Sequence, residues 1–235
     1  MSACSEKSRD NIFAIEMLDE LHVYDDREPK SAALNMAVDE ALLETATAPA
    51  LRFYRWARPA LSFGYFGRFD DLEPSECERD VVRRWTGGGI VLHGEDVTYS
   101  IIIPASHSVF ARSSAAFYSD VHDALQRALR IRGINAMLLE MARPRISESC
   151  FSNAVRADVM LEGRKIAGAA HRRSRAGLLH QGSIQQINLP GQIREDFAQL
   201  LCANFKPSSF SSSLQKRADK ISCAKYGTSE WLRRR

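Results

Sequence analysis

The sequence predicts one α/β (α+β) domain in which helices flank a mixed central sheet. Its 235 residues, of which 45% are hydrophobic, can bury a large core as a single domain. Strand-like runs are interspersed with segments of helical periodicity, a pattern typical of a mixed sheet. The continuous run Ile101, Ile102 and Ile103 indicates that this sheet is buried on both faces.

Helices are predicted where apolar residues recur at helical spacing beside capping residues. Ser31 suits the N-cap of the first helix, and Gly133 follows the end of a long helix that begins at Ser113 or Ser114. A serine-rich stretch over 207–213 is expected to be a loop. The predicted helices are 32–45, 73–80, 113–132 and 192–204, followed by one short basic helix.

Strands are predicted in runs rich in β-branched and aromatic residues. The segment Glu162-Gly163-Arg164 predicts a hairpin turn between two of them. Residues 1–10 are expected to be disordered, 11–206 to form the domain, and 207–235 to be a tail of the same unit. The predicted strands are 21–24, 51–56, 60–66, 97–104, 136–139, 157–161, 165–171 and 177–187, and residues 81–84 lead into a glycine-rich stretch.

Composition excludes several classes of protein. The net charge of +3 is too balanced for a nucleic-acid-binding domain, and the longest apolar runs fall short of the ~20 residues of a membrane span. The polar start is neither a signal nor a transit peptide, so a cytoplasmic protein is expected. Five widely spaced cysteines predict free thiols and no metal site, while the cluster Arg172-Arg173-Ser174-Arg175 suits an acidic protein partner.

The stretch from Arg83 to Pro104 has the composition of a binding site. Gly87, Gly88 and Gly89 allow positive φ and close approach of a ligand to the backbone. A simple hairpin turn is the alternative interpretation. The neighbouring pair Arg83 and Arg84 favours a site, because guanidinium groups bind carboxylates and phosphates.

Two residues are candidates for catalysis on their chemistry. Cys150 lies in a predicted polar loop near Arg143, Arg145 and Arg156, and nearby cations favour the nucleophilic thiolate. Lys165 opens an apolar strand, where its ammonium group would stabilise an oxyanion. The alternatives are a buried apolar cysteine and a surface lysine paired with Glu162.

The motif Arg-Arg-x-Thr-Gly-Gly-Gly-x-Val-x-His at 83–93 resembles the central motif of the lipoate-protein ligase and octanoyltransferase family. The blocks at 35–42, 158–170 and 179–184 resemble other parts of that family. The resemblance implies a biotin-protein-ligase-like catalytic domain, Lys165 in the acyl pocket and Cys150 as the nucleophile of the cysteine-dependent octanoyltransferases. It also implies four further site residues: His93, Gly168, His180 and Gly182. For the two histidines a purely structural role is an equally good interpretation.

The resemblance implies two enzymatic functions. One is transfer of an octanoyl or lipoyl group from acyl carrier protein to the lysine of a lipoyl domain through a Cys150 thioester, with no cofactor. The other is an ATP- and Mg²⁺-dependent lipoate-protein ligase that acts through a lipoyl-adenylate. Gly89 favours the ligase, because cysteine-dependent transferases usually have arginine there. A non-catalytic binding scaffold is the third alternative, which the presence of Lys165 and the glycine motif disfavours.

Overall fold

A mixed eight-stranded sheet forms the centre of the computed structural model, which describes residues 17–142 and 153–234. The strands in chain order are β1 (His22–Lys30), β2 (Ala50–Trp56), β3 (Ala60–Phe63), β4 (Asp80–Arg83), β5 (Val91–His93), β6 (Val97–Pro104), β7 (Met137–Leu138), β8 (Val159–Leu161), β9 (Arg164–Arg173), β10 (Gly177–Ile184) and β11 (Lys206–Pro207). The order across the large sheet is β11-β1-β2-β6-β10-β9-β8-β7. Strand β1 is parallel to β2 and β11, and the other pairs are antiparallel. The predicted mixed sheet is confirmed.

Helices cover both faces of this sheet. They are α1 (Ala32–Thr45), α2 (Ser114–Ile131), α3 (Ile193–Leu201), α4 (Ser212–Ile221) and α5 (Ser229–Arg233), with a π-helical segment at Ser222–Tyr226. Phe117 and Phe197 place α2 and α3 in the apolar core on one face. Met36 and Leu214 place α1 and α4 in the core on the other face. Both faces of the central strands are therefore buried, as the apolar run in β6 predicts.

A second, three-stranded sheet packs on the α1 side of the large sheet. Its order is β4-β3-β5, with β3 parallel to β4 and antiparallel to β5. Ala60 of β3 and Val82 of β4 belong to the same apolar core as α1. The space between the two sheets is where the candidate site lies.

The two long helices begin where the capping residues predict. The Ser31 hydroxyl accepts a hydrogen bond from the backbone N–H of Leu34 at 3.3 Å, and Ser113 accepts one from Ala116 at 3.2 Å. Each hydroxyl satisfies a donor that the first turn of a helix leaves without a backbone partner. In the described part of the chain, no helix is long and apolar enough to cross a membrane.

Several predicted boundaries are corrected by the structure. The helix predicted at 73–80 is wrong: residues 74–78 form turns, because this exposed segment has no apolar face to bury. Strand β1 extends to Lys30 through a charged, exposed stretch, and β3 ends at Phe63 before Gly64. The predicted hairpin turn has Glu162 and Gly163 at φ 50° and 77°. Residues 1–10, predicted to be disordered, lie outside the described residues.

Candidate active site

A narrow cavity of about 40 Å³ lies between the two sheets. It crosses four neighbouring strands, from Lys165 on β9 over β10 and β6 to Trp56 at the end of β2. Strands are about 4.8 Å apart, so the three spacings from β9 to β2 measure about 14 Å. The lining residues are Met36, Tyr54, Trp56, Ser62, Arg84, Val91, His93, Thr98, Lys165, Gly168, Ala169, Ala170, Gln181, Gly182 and Ser183.

Lys165 is buried at one end of this cavity and forms an ion pair with a buried carboxylate. Its Nζ lies 2.8 Å from Oδ2 of Asp158, and it donates to the carbonyl oxygen of Asn153 at 3.3 Å. Asp158 also accepts hydrogen bonds from the Tyr118 hydroxyl at 2.5 Å and the Val155 N–H at 2.7 Å. These contacts fix the ammonium group at the wall of the cavity. The alternative surface pair of Lys165 with Glu162 is not formed, because Glu162 instead faces Arg164.

Gly168 provides the space that the lysine side chain occupies. A Cβ atom at this position would lie 2.4 Å from Cε and 2.6 Å from Nζ of Lys165. Any side chain there would displace the ammonium group. Gly182 is equally constrained, but on the opposite face, where a Cβ would meet the ring of Tyr99 at 2.2 Å.

The three glycines lie in the loop between β4 and β5, and the buried Arg84 side chain stabilises this loop. Arg84 donates through Nη2 to the carbonyl oxygens of Gly87 and Gly89, at 3.0 and 2.9 Å. Gly88 has φ 87°, in the left-handed region. Gly64, which the sequence analysis did not select, lets the loop pack, since a Cβ there would lie 2.0 Å from the Gly88 carbonyl oxygen.

A directed chain of hydrogen bonds connects this loop to a buried aspartate. Arg84 Nη1 donates to Ser62 Oγ at 2.7 Å, and Ser62 Oγ lies 2.7 Å from His93 Nε2. His93 Nδ1 lies 2.8 Å from Asp96 Oδ2. Because the Asp96 carboxylate can only accept, the single N–H of a neutral His93 is on Nδ1 and donates to Asp96, and the Ser62 hydroxyl, which accepts from Arg84, donates to Nε2.

The charge states of this chain follow from burial and hydrogen bonding. Burial lowers the pKa of His93, outweighing the neighbouring Asp96, so the imidazole is neutral near pH 7. Burial alone would raise the pKa of Asp96, but contact with His93 and hydrogen bonds from two neighbouring hydroxyls lower it to about 2. Since His93 is neutral, we attribute the ionised carboxylate chiefly to the hydrogen bonds.

A wider outer cleft opens from the lysine end of the cavity. Lys165 and Ala169 line both spaces, so the lysine lies at their junction. The cleft walls include Gly64, the glycine loop and Asn153, and the Phe66 side chain is 86% exposed at its edge. A reactant in the cleft would thus reach Lys165 and the glycine loop together.

Two predicted site residues point away from the cavity. The Arg83 guanidinium donates to backbone carbonyl groups of the loop after β3 and of the C-terminal segment, including those of Tyr65 and Leu232, and so joins these segments. His180 lies on the opposite face of the large sheet, packed among aromatic rings that include Phe117 and Tyr118. Burial lowers its pKa well below the ordinary value. Neither geometry supports contact with a substrate in the cavity.

Three of the five cysteines lie in the described part of the chain. Cys150 lies outside the described residues, three positions before Asn153 in the sequence. Within 17–142 and 153–234, Cys77, Cys202 and Cys223 are free thiols. The same ranges contain no cluster of three or more His, Cys, Asp or Glu side chains that could hold a metal ion.

The family model of the lipoyl protein ligase A/B catalytic domain matches residues 31–223. The chain belongs to this family. It is 39% identical over 167 residues to octanoyltransferase LipM of Oceanobacillus iheyensis, covering 66% of this chain and 60% of that one. LipM of Carboxydothermus hydrogenoformans is 39% identical over 163 residues, with 66% and 61% covered. The matched region is thus about three fifths of these curated relatives.

Solved structures of family members have the same fold. Lipoate-protein ligase A bound with ATP superimposes with a TM-score of 0.70 and 21% identity, over 91% of this chain and 98% of that one. The bi-partite lipoate protein ligase of Thermoplasma acidophilum gives a TM-score of 0.69 at 21% identity, covering 94% and 99%. At this identity the likeness concerns the fold, and it confirms the predicted ligase-type catalytic fold.

Proposed function

We propose that this protein transfers an octanoyl or lipoyl group from acyl carrier protein to the lysine of a lipoyl-domain protein, in the cytoplasm, with Cys150 carrying the acyl group. The observation that carries the proposal is the narrow cavity with Lys165 at its mouth beside the glycine loop. The name octanoyltransferase LipM, shared by the relatives described above, supports the same reaction.

The span of the strands that line the cavity is long enough for an eight-carbon acyl group. A carbon–carbon bond of about 1.5 Å advances an extended chain by about 1.3 Å, so an octanoyl chain is about 9 Å long. The distance of about 14 Å across the four strands leaves room for a hydrogen bond to Lys165 at one end and for the terminal methyl group at the other. The acyl carbonyl would lie at the lysine, facing the outer cleft.

In this proposal the reaction has two transfer steps. The Cys150 thiolate attacks the donor thioester, a new C–S bond forms, and the carrier thiolate leaves and takes up a proton. The ε-amine of the acceptor lysine then attacks the enzyme thioester, releases Cys150 and loses a proton as the amide forms. Lys165 would stabilise the oxyanion of both tetrahedral intermediates.

Cys150 must lie near this junction for the proposal to hold. Asn153 lines the outer cleft, and three residues of chain span at most about 11 Å. In this proposal Arg156, together with Arg143 and Arg145, which are near Cys150 in the sequence, would supply positive charge that favours the thiolate.

The second candidate function is an ATP-dependent lipoate-protein ligase. Gly89, at a position where cysteine-dependent transferases usually have arginine, favours this alternative. In that case the backbone of the glycine loop and Lys165 would hold the acyl-adenylate, and ATP with Mg²⁺ would supply the activation of the free acid.

A transfer assay with a purified lipoyl domain as acceptor separates the two functions. We expect octanoylation of the acceptor from octanoyl acyl carrier protein without ATP, and none from free octanoate or lipoate with ATP and Mg²⁺. The acceptor with its target lysine replaced by arginine serves as the negative control. Modification that requires ATP and a free acid would reject the transferase and favour the ligase.

A further inference from the structure

His93 separates the acyl cavity from a second, solvent-open groove. The imidazole lines the cavity together with Trp56 and Ser62, and it also lines a groove of about 930 Å³ on its other side. This groove runs past Leu92, Gly94 and residues 185–188. It shares no lining residue with the outer cleft at Lys165, so the two openings lie at different ends of the cavity.

The imidazole is held rigidly in this position. Both ring nitrogens are engaged, Nε2 with Ser62 at 2.7 Å and Nδ1 with Asp96 at 2.8 Å. One ring face stacks on Trp56, with 4.1 Å between centroids and 20° between planes. Trp56 itself is fixed because its Nε1 donates to Thr98 Oγ1 at 2.8 Å. A longer acyl chain could displace the imidazole only by breaking several of these buried contacts.

We propose that His93 ends the acyl cavity and thereby sets the longest acyl chain that the protein accepts, at about eight carbons. The inference rests on the proposed acyl transfer and deepens it by assigning the residue that selects medium-chain acyl groups. Each methylene group beyond the longest chain that fits the cavity would have to occupy the space of the imidazole. A methylene misfit in an apolar pocket changes specificity by about 10–200-fold.

Removal of the imidazole should connect the cavity with the groove. We expect wild-type protein to use octanoyl donors at least about 100-fold better than dodecanoyl donors, in kcat/KM for acyl transfer. In His93→Ala, the dodecanoyl-to-octanoyl ratio should rise at least about 10-fold. His93→Asn should raise it less, because Asn keeps an acceptor for Ser62 and a donor for Asp96 in a smaller side chain.

The matched control is Leu92→Ala, since Leu92 lines the groove but not the cavity and is 47% exposed. It should leave the chain-length ratio unchanged. Binding of octanoic and dodecanoic acid, followed by tryptophan fluorescence, measures the same length limit without catalysis. It also reports on a variant that folds but transfers slowly.

The outcomes distinguish the inference from the proposed function. Folded His93→Ala and His93→Asn proteins with the wild-type length ratio, in transfer and in fatty-acid binding, would overturn the role of His93. Wild-type protein that transfers no acyl group from any thioester would reject the proposed function. In that case the fatty-acid binding ratio of the variants still decides whether His93 closes the cavity.

Discussion

Replacement of Lys165 by Ala tests the chemistry and the energetics of the site together. The change removes the proposed oxyanion donor, which corresponds to a rate loss on the order of 10²–10³. It also leaves the fully buried Asp158 carboxylate without its cation. Loss of one partner from a buried ion pair costs about 3–5 kcal/mol of unfolding free energy. We therefore expect Lys165→Ala to be both less stable and inactive.

A double variant separates these two effects. Lys165→Met combined with Asp158→Asn removes both charges. The Asn oxygen can accept from Tyr118 but not also from the Val155 N–H, so only part of the lost stability should return. Urea denaturation measures the free energy of unfolding, and single-turnover transfer measures the rate on the same preparations. If the double variant regained activity along with stability, or if folded Lys165→Ala transferred at the wild-type rate, the catalytic role of Lys165 would be refuted.

Two further predictions concern the glycine loop and acid stability. Gly88→Val should abolish transfer, because a side chain is strained at the Gly88 φ of 87°. The control is Gly87→Ala, whose Cβ would meet no atom within 4 Å and which should keep the wild-type stability in the same urea titration. Equal transfer rates for Gly88→Val and wild type would contradict the prediction. Burial lowers the pKa of His122 to about 4 from an unfolded value of about 6.5, so its contribution to stability is complete above pH 6.5 and is lost as the pH falls. At pH 5 this loss is about 2 kcal/mol, and His122→Phe should reduce the slope of unfolding free energy between pH 6.5 and 4; an unchanged slope would disprove the assignment.

The elements that the sequence predicts well are those with local signals. Helix α2 has an N-capping Ser113, an apolar stripe and Gly133 after its end, and its observed bounds follow these signals. Strand β6 is a continuous apolar run and occupies the predicted residues 97–104. The segment at 73–80 has a proline and acidic residues suited to a helix start, but without an apolar face no tertiary contact stabilises a helix there.

The site contacts that the sequence does not predict depend on tertiary structure. Ser62 and Asp96 flank His93 only because β3 pairs with β5 and the following turn returns Asp96 to the same ring. Asp158 reaches Lys165 across a hairpin whose register shifts at an irregularity. No local motif encodes these pairs, although a buried lysine implies that some carboxylate must lie nearby.

Acyl transfer through Cys150 is tested most directly by intact-mass measurement of the protein after it is mixed with octanoyl acyl carrier protein. We predict an increase of one octanoyl group on the wild-type protein, reversed by hydroxylamine as expected for a thioester. Cys150→Ala should show no adduct and no turnover, and Cys77→Ala, which removes an exposed free thiol, should behave as wild type. A Cys150→Ala protein that still modifies its acceptor at the wild-type rate would contradict the proposed acyl-enzyme.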